Sequence, residues 1–235
     1  MIDTAILLAA GEGSRLRDVA ASKPLCPVGG VPLIDHAIAG LAAAGMTRVV
    51  VVLGYQGDAV AAHLAARQWP VAVEWSRVAD HREPNGVSAL AAAALVAGDA
   101  LLAMCDHLVE PALYARVAAA GAGDGVTLGI DRRLAHPWVD PEDVTRVVTR
   151  DGLIVELGKG LVRYDAHDTG VFAVGPALFE ALRGLKRPSL TEGVRVLAAR
   201  GSARVVDCSG LDWIDVDDAA ALAHAESWVA GRTAA

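Results

Sequence analysis

Three groups of polar residues interrupt an otherwise apolar chain, each at the end of a hydrophobic run. The first is Gly11-Glu12-Gly13-Ser14-Arg15-Leu16, followed by Lys23-Pro24-Leu25. Glycines let a backbone approach a ligand and take up φ > 0, so that successive N–H groups converge on phosphate oxygens. Arg15 and Lys23 would add positive charge. The loop is not a Walker A loop, which ends in Gly-Lys-Ser/Thr, nor a dinucleotide fingerprint, which needs a third glycine where Leu16 stands. The second group is Asp106-His107, directly after the apolar run 100–105. The third is Trp213-Ile214-Asp215-Val216-Asp217, which puts two carboxylates on one face of a short strand. Phosphoryl transfer depends chiefly on positioning and charge neutralisation, which a hard cation between carboxylates and phosphates supplies. Together the three groups predict cation-assisted chemistry on a polyphosphate. Taken singly, each has a simpler reading. The loop is a tight turn with solvated Arg15 and Lys23, Asp106 is an N-cap, His107 is a polar surface residue, and Asp217 caps the last helix, a role favoured for it over metal binding.

Two further stretches suit ligands. Asn85-Gly86-Val87-Ser88 opens a helix after Pro84, either as a plain cap or with its amides and the Asn85 and Ser88 side chains reading a pyrimidine edge. A side-chain amide pairs with cytosine or uracil by flipping, so the base stays open. Gly158-Lys159 reads as an exposed turn or as a partner for a monophosphate dianion. Asp168-Thr169 reads as a strand start or as a hydrogen-bonding pair for polyol hydroxyls. Lysine is scarce, with Lys23, Lys159 and Lys186 alone, so each carries slightly more information.

Elements of alternating type must position these groups. Residues 4–10 form a strand apolar on both faces, closed by Gly11. A helix over 33–44, a strand over 48–53, a helix over 57–67, a strand over 71–75, a helix over 87–97, a strand over 100–105, a helix over 110–120 and a strand over 125–130 follow. This alternation implies right-handed crossovers and a parallel sheet covered on both faces. Shorter strands over 144–149, 153–157 and 169–174 read as hairpin-like additions to the same sheet. Helices over 176–183 and 190–200, strands over 203–207 and 213–216, and a helix over 218–230 complete the chain. The fold class is α/β, a Rossmann-like three-layer sandwich with a mostly parallel mixed central sheet, and residues 1–235 read as one domain. Ligands of such sheets bind beyond the carboxyl ends of the strands, here at Gly11, after Leu53 and at Asp106.

A net charge of −7 lacks the basic footprint of a nucleic-acid binder. The apolar run 89–105 is broken by Gly98-Asp99, so it is not expected to span a membrane, and the N-terminus lacks the basic start of a secretory signal, which predicts a cytoplasmic protein. Cys26, Cys105 and Cys208 are too scattered for a disulfide framework and read as free thiols.

The stretch Leu8-Ala9-Ala10-Gly11-Glu12-Gly13-Ser14-Arg15-Leu16 with Lys23-Pro24-Leu25 resembles the signature of the sugar-1-phosphate nucleotidylyltransferases. Asp3-Thr4-Ala5-Ile6, Asn85-Gly86-x-Ser88, Asp106-His107, Asp131-Arg132, Gly158-Lys159, Asp168-Thr169-Gly170-x-Phe172 and Trp213-x-Asp215-Val216-Asp217 extend the likeness over nearly the whole chain. They make it similar to the L-myo-inositol-1-phosphate cytidylyltransferases. The resemblance implies the nucleotide-diphospho-sugar transferase fold and Mg²⁺-dependent transfer of CMP from CTP to inositol 1-phosphate, giving CDP-inositol and pyrophosphate. It assigns Arg15 and Lys23 to the departing phosphates and Leu8, Ala10, Gly11, Gly13, Ser14, Asn85, Gly86 and Ser88 to the nucleotide. Asp106 and Asp215 become metal ligands, with Asp217 the alternative to Asp215, and His107, Lys159, Asp168 and Thr169 hold the acceptor. The acceptor phosphate is already anionic, so no general base is expected.

Two departures stand out. Members often continue into a membrane-embedded CDP-alcohol phosphotransferase domain where this chain stops at Ala235, so that enzyme is expected as a separate downstream partner. The segment 134–142 matches no family motif, although His136, Pro137 and Trp138 could shape a pocket. Rival readings are a uridylyl- or guanylyltransferase for an aldose 1-phosphate and a catalytically silent nucleotide-binding regulatory protein. A choline-type cytidylyltransferase is disfavoured, because aromatic residues are only 4% of the chain and none cluster beside Asp168. The oligomeric state stays open, a homo-oligomer included.

Overall fold

The computed structural model describes residues 2–233, so the outermost ends of the expected 1–235 span lie outside the described residues. In chain order the elements are β1 (Thr4–Ala9), β2 (Pro27–Val28), β3 (Val31–Pro32), α1 (Leu33–Ala43), β4 (Arg48–Leu53), α2 (Gly57–Ala65), β5 (Ala72–Arg77), α3 (Asn85–Ala92), β6 (Ala100–Met104), β7 (His107–Val109), α4 (Pro111–Ala120), β8 (Val126–Asp131), β9 (Arg146–Arg150), β10 (Leu153–Gly158), β11 (Ala166–Val174), α5 (Pro176–Arg183), α6 (Leu190–Ala198), β12 (Ala203–Asp207), β13 (Trp213–Asp215) and α7 (Ala219–Thr233). Among the described residues, no helix is long and apolar enough to cross a membrane.

The central sheet runs β5-β4-β1-β6-β11-β8-β12-β10-β9, with β9 also bonded to β11. Its continuous apolar strands are explained by burial on both faces. Ile6, Leu8, Val50, Val52 and Leu102 pack on residues of α3, α5 and α6. Ala5, Leu7, Val49, Val51 and Leu101 pack on residues of α1, α2 and α4. This is the expected three-layer sandwich.

Strands β5, β4, β1 and β6 are mutually parallel, whereas β11 inserts antiparallel between β6 and β8. Val171 lies opposite Ala103, so the start of β11 reaches the sheet edge where β6 ends. Asp168 and Asp106 therefore meet at one edge from strands of opposite direction.

A small antiparallel ribbon, β7 with β13, stands apart from the main sheet and places Asp215 opposite His107. Leu108, Ile214 and Val216 of this region pack with Leu16, Val28 and Ala225 in a satellite core. The expected strand at 213–216 thus joins β7 instead of the central sheet. Strand β7 itself was not anticipated, since three residues before a helix give too short a period to read. Several boundaries also differ. Helix α3 stops at Ala92 and tightens into a 3₁₀ turn, Ala93–Leu95, an end that its alanine run, lacking a C-terminal signal, does not mark in the sequence. Strand β11 starts at Ala166, before the expected 169, since His167 and Asp168 are polar residues inside a strand.

The ribbon is anchored to the end of β8 by Asp131, a fully buried carboxylate. It accepts from Trp213 Nε1 at 3.0 Å and from Arg133 Nη2 at 2.9 Å, while Arg133 Nη1 donates to Asp212 at 2.8 Å. Burial alone would raise the Asp131 pKa, but the bonds from Arg133 and Trp213 leave it lowered. Trp213→Phe keeps an aromatic ring and removes one donor from this buried acid. We expect it to cost ~1–3 kcal/mol in urea unfolding; an unchanged midpoint would contradict the anchoring role.

Candidate active site

The loop after β1 is built around Lys23. Gly13 sits at φ 58°, and a Cβ there would run into the aliphatic stem of Lys23, so glycine lets that stem cross the loop. Leu16, 1% exposed, fastens the loop to the satellite core. The resulting cleft, about 240 Å³, is lined by Leu8, Gly11, Gly13, Ser14, Arg15 and Lys23, among others. Ala10 does not line it; its carbonyl accepts the Tyr55 N–H at 3.0 Å.

Lys23 is 6% exposed, and its ammonium faces three carboxylates. Its Nζ donates to Asp106 Oδ2 at 2.6 Å and to Asp217, and lies 3.7 Å from Asp215 Oδ1. Arg15 pairs with Asp217 as well, and its Nη2 donates to Asp143 Oδ2 at 2.6 Å. Lys159 pairs with the other oxygen of Asp143. Charges of alternating sign therefore run Lys159, Asp143, Arg15, Asp217, Lys23, Asp106.

His107 closes the cluster on the sheet side. Its Nδ1 lies 3.0 Å from the Thr169 carbonyl, which can only accept, so Nδ1 carries the proton; Nε2 stands 3.5 Å from Asp215 Oδ2. The close approach depends on Gly170, at φ 76° in the irregular part of β11, where a Cβ would lie 2.5 Å from the imidazole.

The electrostatics follow from burial among these partners. Burial lowers the pKa of Lys23, yet Asp106, Asp215 and Asp217 hold it well above the usual lysine range. His107 is likewise opposed by burial but raised to about 9, chiefly by Asp215. Asp215, which burial would raise, is brought down to about 2 by His107 and Lys23. Asp217 is pushed up to about 6 by burial and by Asp215. Asp168 is pushed up to about 6 by burial, against the Gly170 N–H that it accepts at 2.7 Å.

The donor set fits a hard divalent cation. Asp106, His107 and Asp215 each offer a ligand atom within 4.8 Å of the others, and so do Asp143, Asp215 and Asp217. Asp215 Oδ1 is buried and accepts no hydrogen bond from the described residues. Several carboxylates gathered around one ammonium, with an orphaned oxygen among them, is an arrangement that an oxygen-seeking cation would relieve.

A second cleft of about 540 Å³ opens beside the cluster, lined by Asp106, His107, Asp168, Lys159, Asp215 and Asp217 on its polar side. Thr169 is not among its lining residues: its hydroxyl is fully buried and donates to the Gly129 carbonyl at 2.7 Å, because β11 turns that side chain into the sheet. The expected base-reading group is split. Asn85 lines the cleft, but its Oδ1 accepts the Leu190 N–H at 2.9 Å and ties α3 to α6. Gly86 packs against Pro188, and Ser88 is buried. The segment without a motif, 134–142, supplies a wall through Pro137, Trp138 and Asp140. Trp138 and Trp213 thus line the same cleft as Asp168, brought there from distant stretches, although the sequence shows no aromatic cluster beside Asp168.

Two acids came out differently from the sequence reading. Asp217 does not cap the last helix; Asp218 Oδ1 accepts the Ala221 N–H at 2.8 Å, which leaves Asp217 to Lys23 and Arg15. Its i, i+2 spacing from Asp215 was the signal. Asp143 was missed, since nothing local marks it out from Asp140 and Glu142 nearby.

The sequence family makes this chain a nucleotidyltransferase. The chain belongs to the MobA-like NTP transferase domain family, which matches residues 5–150. It is 37% identical over 235 residues to the bifunctional IPC transferase and DIPP synthase of Rubrobacter xylanophilus, covering 98% of this chain and 52% of that protein. The protein of the same description from Aquifex aeolicus is 31% identical over 226 residues, covering 92% of this chain and 49% of that one. The chain thus spans about half the length of the curated relatives it matches. The solved inositol-1-phosphate CTP transferase from T. maritima superposes with a TM-score of 0.82 at 24% identity, covering 96% of this chain and 95% of that one, and so shares the fold.

The raised His107 pKa has a consequence for stability. A group titrating near 9 in the folded chain and near 6.5 unfolded contributes stability that is complete below about 6.5 and is lost as pH rises through about 9. In EDTA, the melting temperature is expected to fall between pH 7 and pH 10, and His107→Gln to flatten that fall. An equally steep decline in the variant would assign it to other groups.

Proposed function

We propose that this chain is a cytoplasmic, Mg²⁺-dependent cytidylyltransferase domain that transfers CMP from CTP to inositol 1-phosphate. The observation that carries the reading is the alternating cluster at the mouth of β1 and β6, where Arg15 and Lys23 face Asp106, Asp215 and Asp217 between two adjoining clefts. The names of the relatives supply the substrates.

In this reading the glycine loop receives the triphosphate, with Gly11 and Gly13 amides and the Arg15 and Lys23 side chains on its β- and γ-phosphates. Asp106 and Asp215, with Asp217 beside them, would hold Mg²⁺, which when bound neutralises charge on the triphosphate. Lys159 holds the acceptor phosphate, while His107 and Asp168 face the polyol. An acceptor phosphate oxygen forms a bond to the α-phosphorus as the α–β anhydride bond breaks, and pyrophosphate leaves with both electrons toward Arg15 and Lys23. The nucleophile is anionic beforehand, so the residues position and neutralise, and none needs to take a proton. The product, CDP-inositol, is a substrate for a membrane CDP-alcohol phosphotransferase.

Pyrophosphate release from each NTP paired with inositol 1-phosphate, glucose 1-phosphate or phosphocholine tests the substrates. CTP with inositol 1-phosphate should be fastest; faster turnover of phosphocholine, against Trp138 and Trp213, would replace the acceptor. Asp106→Ala is expected to lower kcat by about 10³-fold or more with the fold intact, and near wild-type turnover would remove it from the metal site. Lys159→Ala should raise KM for inositol 1-phosphate about tenfold or more and leave that for CTP nearly unchanged; equal changes would reject the assignment.

A further inference from the structure

Asp143 is shared by two cations that the proposed function gives to different substrates. Its Oδ2 accepts from Arg15 Nη2 at 2.6 Å, on the side of the glycine loop, and its Oδ1 accepts from Lys159, on the side of the second cleft. These bonds hold its carboxyl well below the usual carboxylate range. Arg15 and Lys159 are themselves half exposed or more, with side-chain exposures of 51% and 60%, so incoming anions can reach them. Asp143, at 24%, lies between them.

We infer that Asp143 is an internal counter-anion common to both substrate sites, which the triphosphate and the acceptor phosphate must each displace. The inference rests on the assignment of Arg15 to the nucleotide and of Lys159 to the acceptor. A phosphate group bonding Arg15 takes the place of one Asp143 oxygen, and a phosphate group bonding Lys159 takes the place of the other. A carboxylate and a phosphate cannot crowd one guanidinium without repulsion, so each incoming anion binds at the cost of an Asp143 bond. Asp143 thereby sets a threshold: only an anion that gains more from Arg15 or Lys159 than Asp143 does occupies either site. A second acid tests whether charge alone is responsible. Glu142 stands next to Asp143 in the chain, is exposed and does not line the cleft, and no ion pair joins it to Arg15 or Lys159 among the described residues.

Binding measured calorimetrically in EDTA, with no turnover, separates the possibilities. Pyrophosphate probes the Arg15 side, inorganic phosphate and inositol 1-phosphate probe the Lys159 side, and acetate probes whether a monoanion meets the same cost. Asp143→Asn should tighten pyrophosphate and phosphate by roughly fivefold each, the equivalent of ~1 kcal/mol for partly exposed pairs, with acetate gaining by no more than they do. Asp143→Ser, which lacks an amide oxygen to bond Arg15, should do so at least as strongly. Glu142→Gln should bind like the wild type. Unchanged or weaker binding in both Asp143 variants overturns the inference, as does an equal gain in Glu142→Gln, which would reduce the effect to net charge. A gain for pyrophosphate alone overturns the sharing between sites. If both inorganic probes tighten while inositol 1-phosphate binds no form of the protein, the counter-anion stands and the proposed acceptor fails.

Discussion

Like charges resist being gathered, and Asp106, Asp215 and Asp217 are gathered around a single buried ammonium. Two unit charges a few ångströms apart inside a protein interact by several kcal/mol, so three carboxylates at one point require a cation among them. Lys23 is that cation, and its raised pKa shows that the attraction of the acids outweighs the cost of its burial. Arg15 answers Asp217 and His107 answers Asp215 in the same way, and the buried oxygen of Asp215 that accepts no hydrogen bond is the point at which the acids stay unsatisfied.

Most of the fold serves to bring those groups together. The parallel strands β1 and β6 deliver the glycine loop and Asp106 to one edge, and the reversal of β11 brings Asp168 to the same edge from the other direction. Asp215 comes from more than a hundred residues further along the chain, and the ribbon of β13 with β7 fixes it across from His107. Asp131 holds the ribbon through Trp213, whose ring stacks on His107 with centroids 5.9 Å apart. A structural acid outside the cluster thus sets the orientation of the residues inside it. Gly170 permits the imidazole contact that any larger residue would block.

Much of this was legible in the sequence, for physical reasons. Doubly buried strands leave unbroken apolar runs, so β1, β4 and β6 could be read directly, and ligand loops follow from where such runs end. The groups at Gly11, Asp106 and Trp213 carried enough chemistry to predict an anion loop facing acids. What stayed hidden depended on pairing at a distance. Strand β7 is too short to show a period, and His167 and Asp168 disguise the start of β11. Asp217 and Asp218 are adjacent acids, and only the packing of α7 decides which one caps the helix. Asp143 has no local mark at all; its meaning comes from Arg15 and Lys159, 128 and 16 residues away. Thr169 shows the converse, since its hydroxyl, a group that suits ligands, donates to the Gly129 carbonyl inside the fold, while Asn85 lines the cleft and gives its Oδ1 to the Leu190 N–H.

The family membership and the acid cluster converge on one claim, that carboxylates from β6 and β13 share a divalent cation with a triphosphate seated on the glycine loop. Anomalous diffraction from crystals grown with Mn²⁺ and a non-hydrolysable CTP analogue tests it most directly. The account predicts a manganese peak in contact with both Asp106 and Asp215 and with the nucleotide phosphates. Nucleotide bound in the loop with its manganese touching neither acid would contradict it.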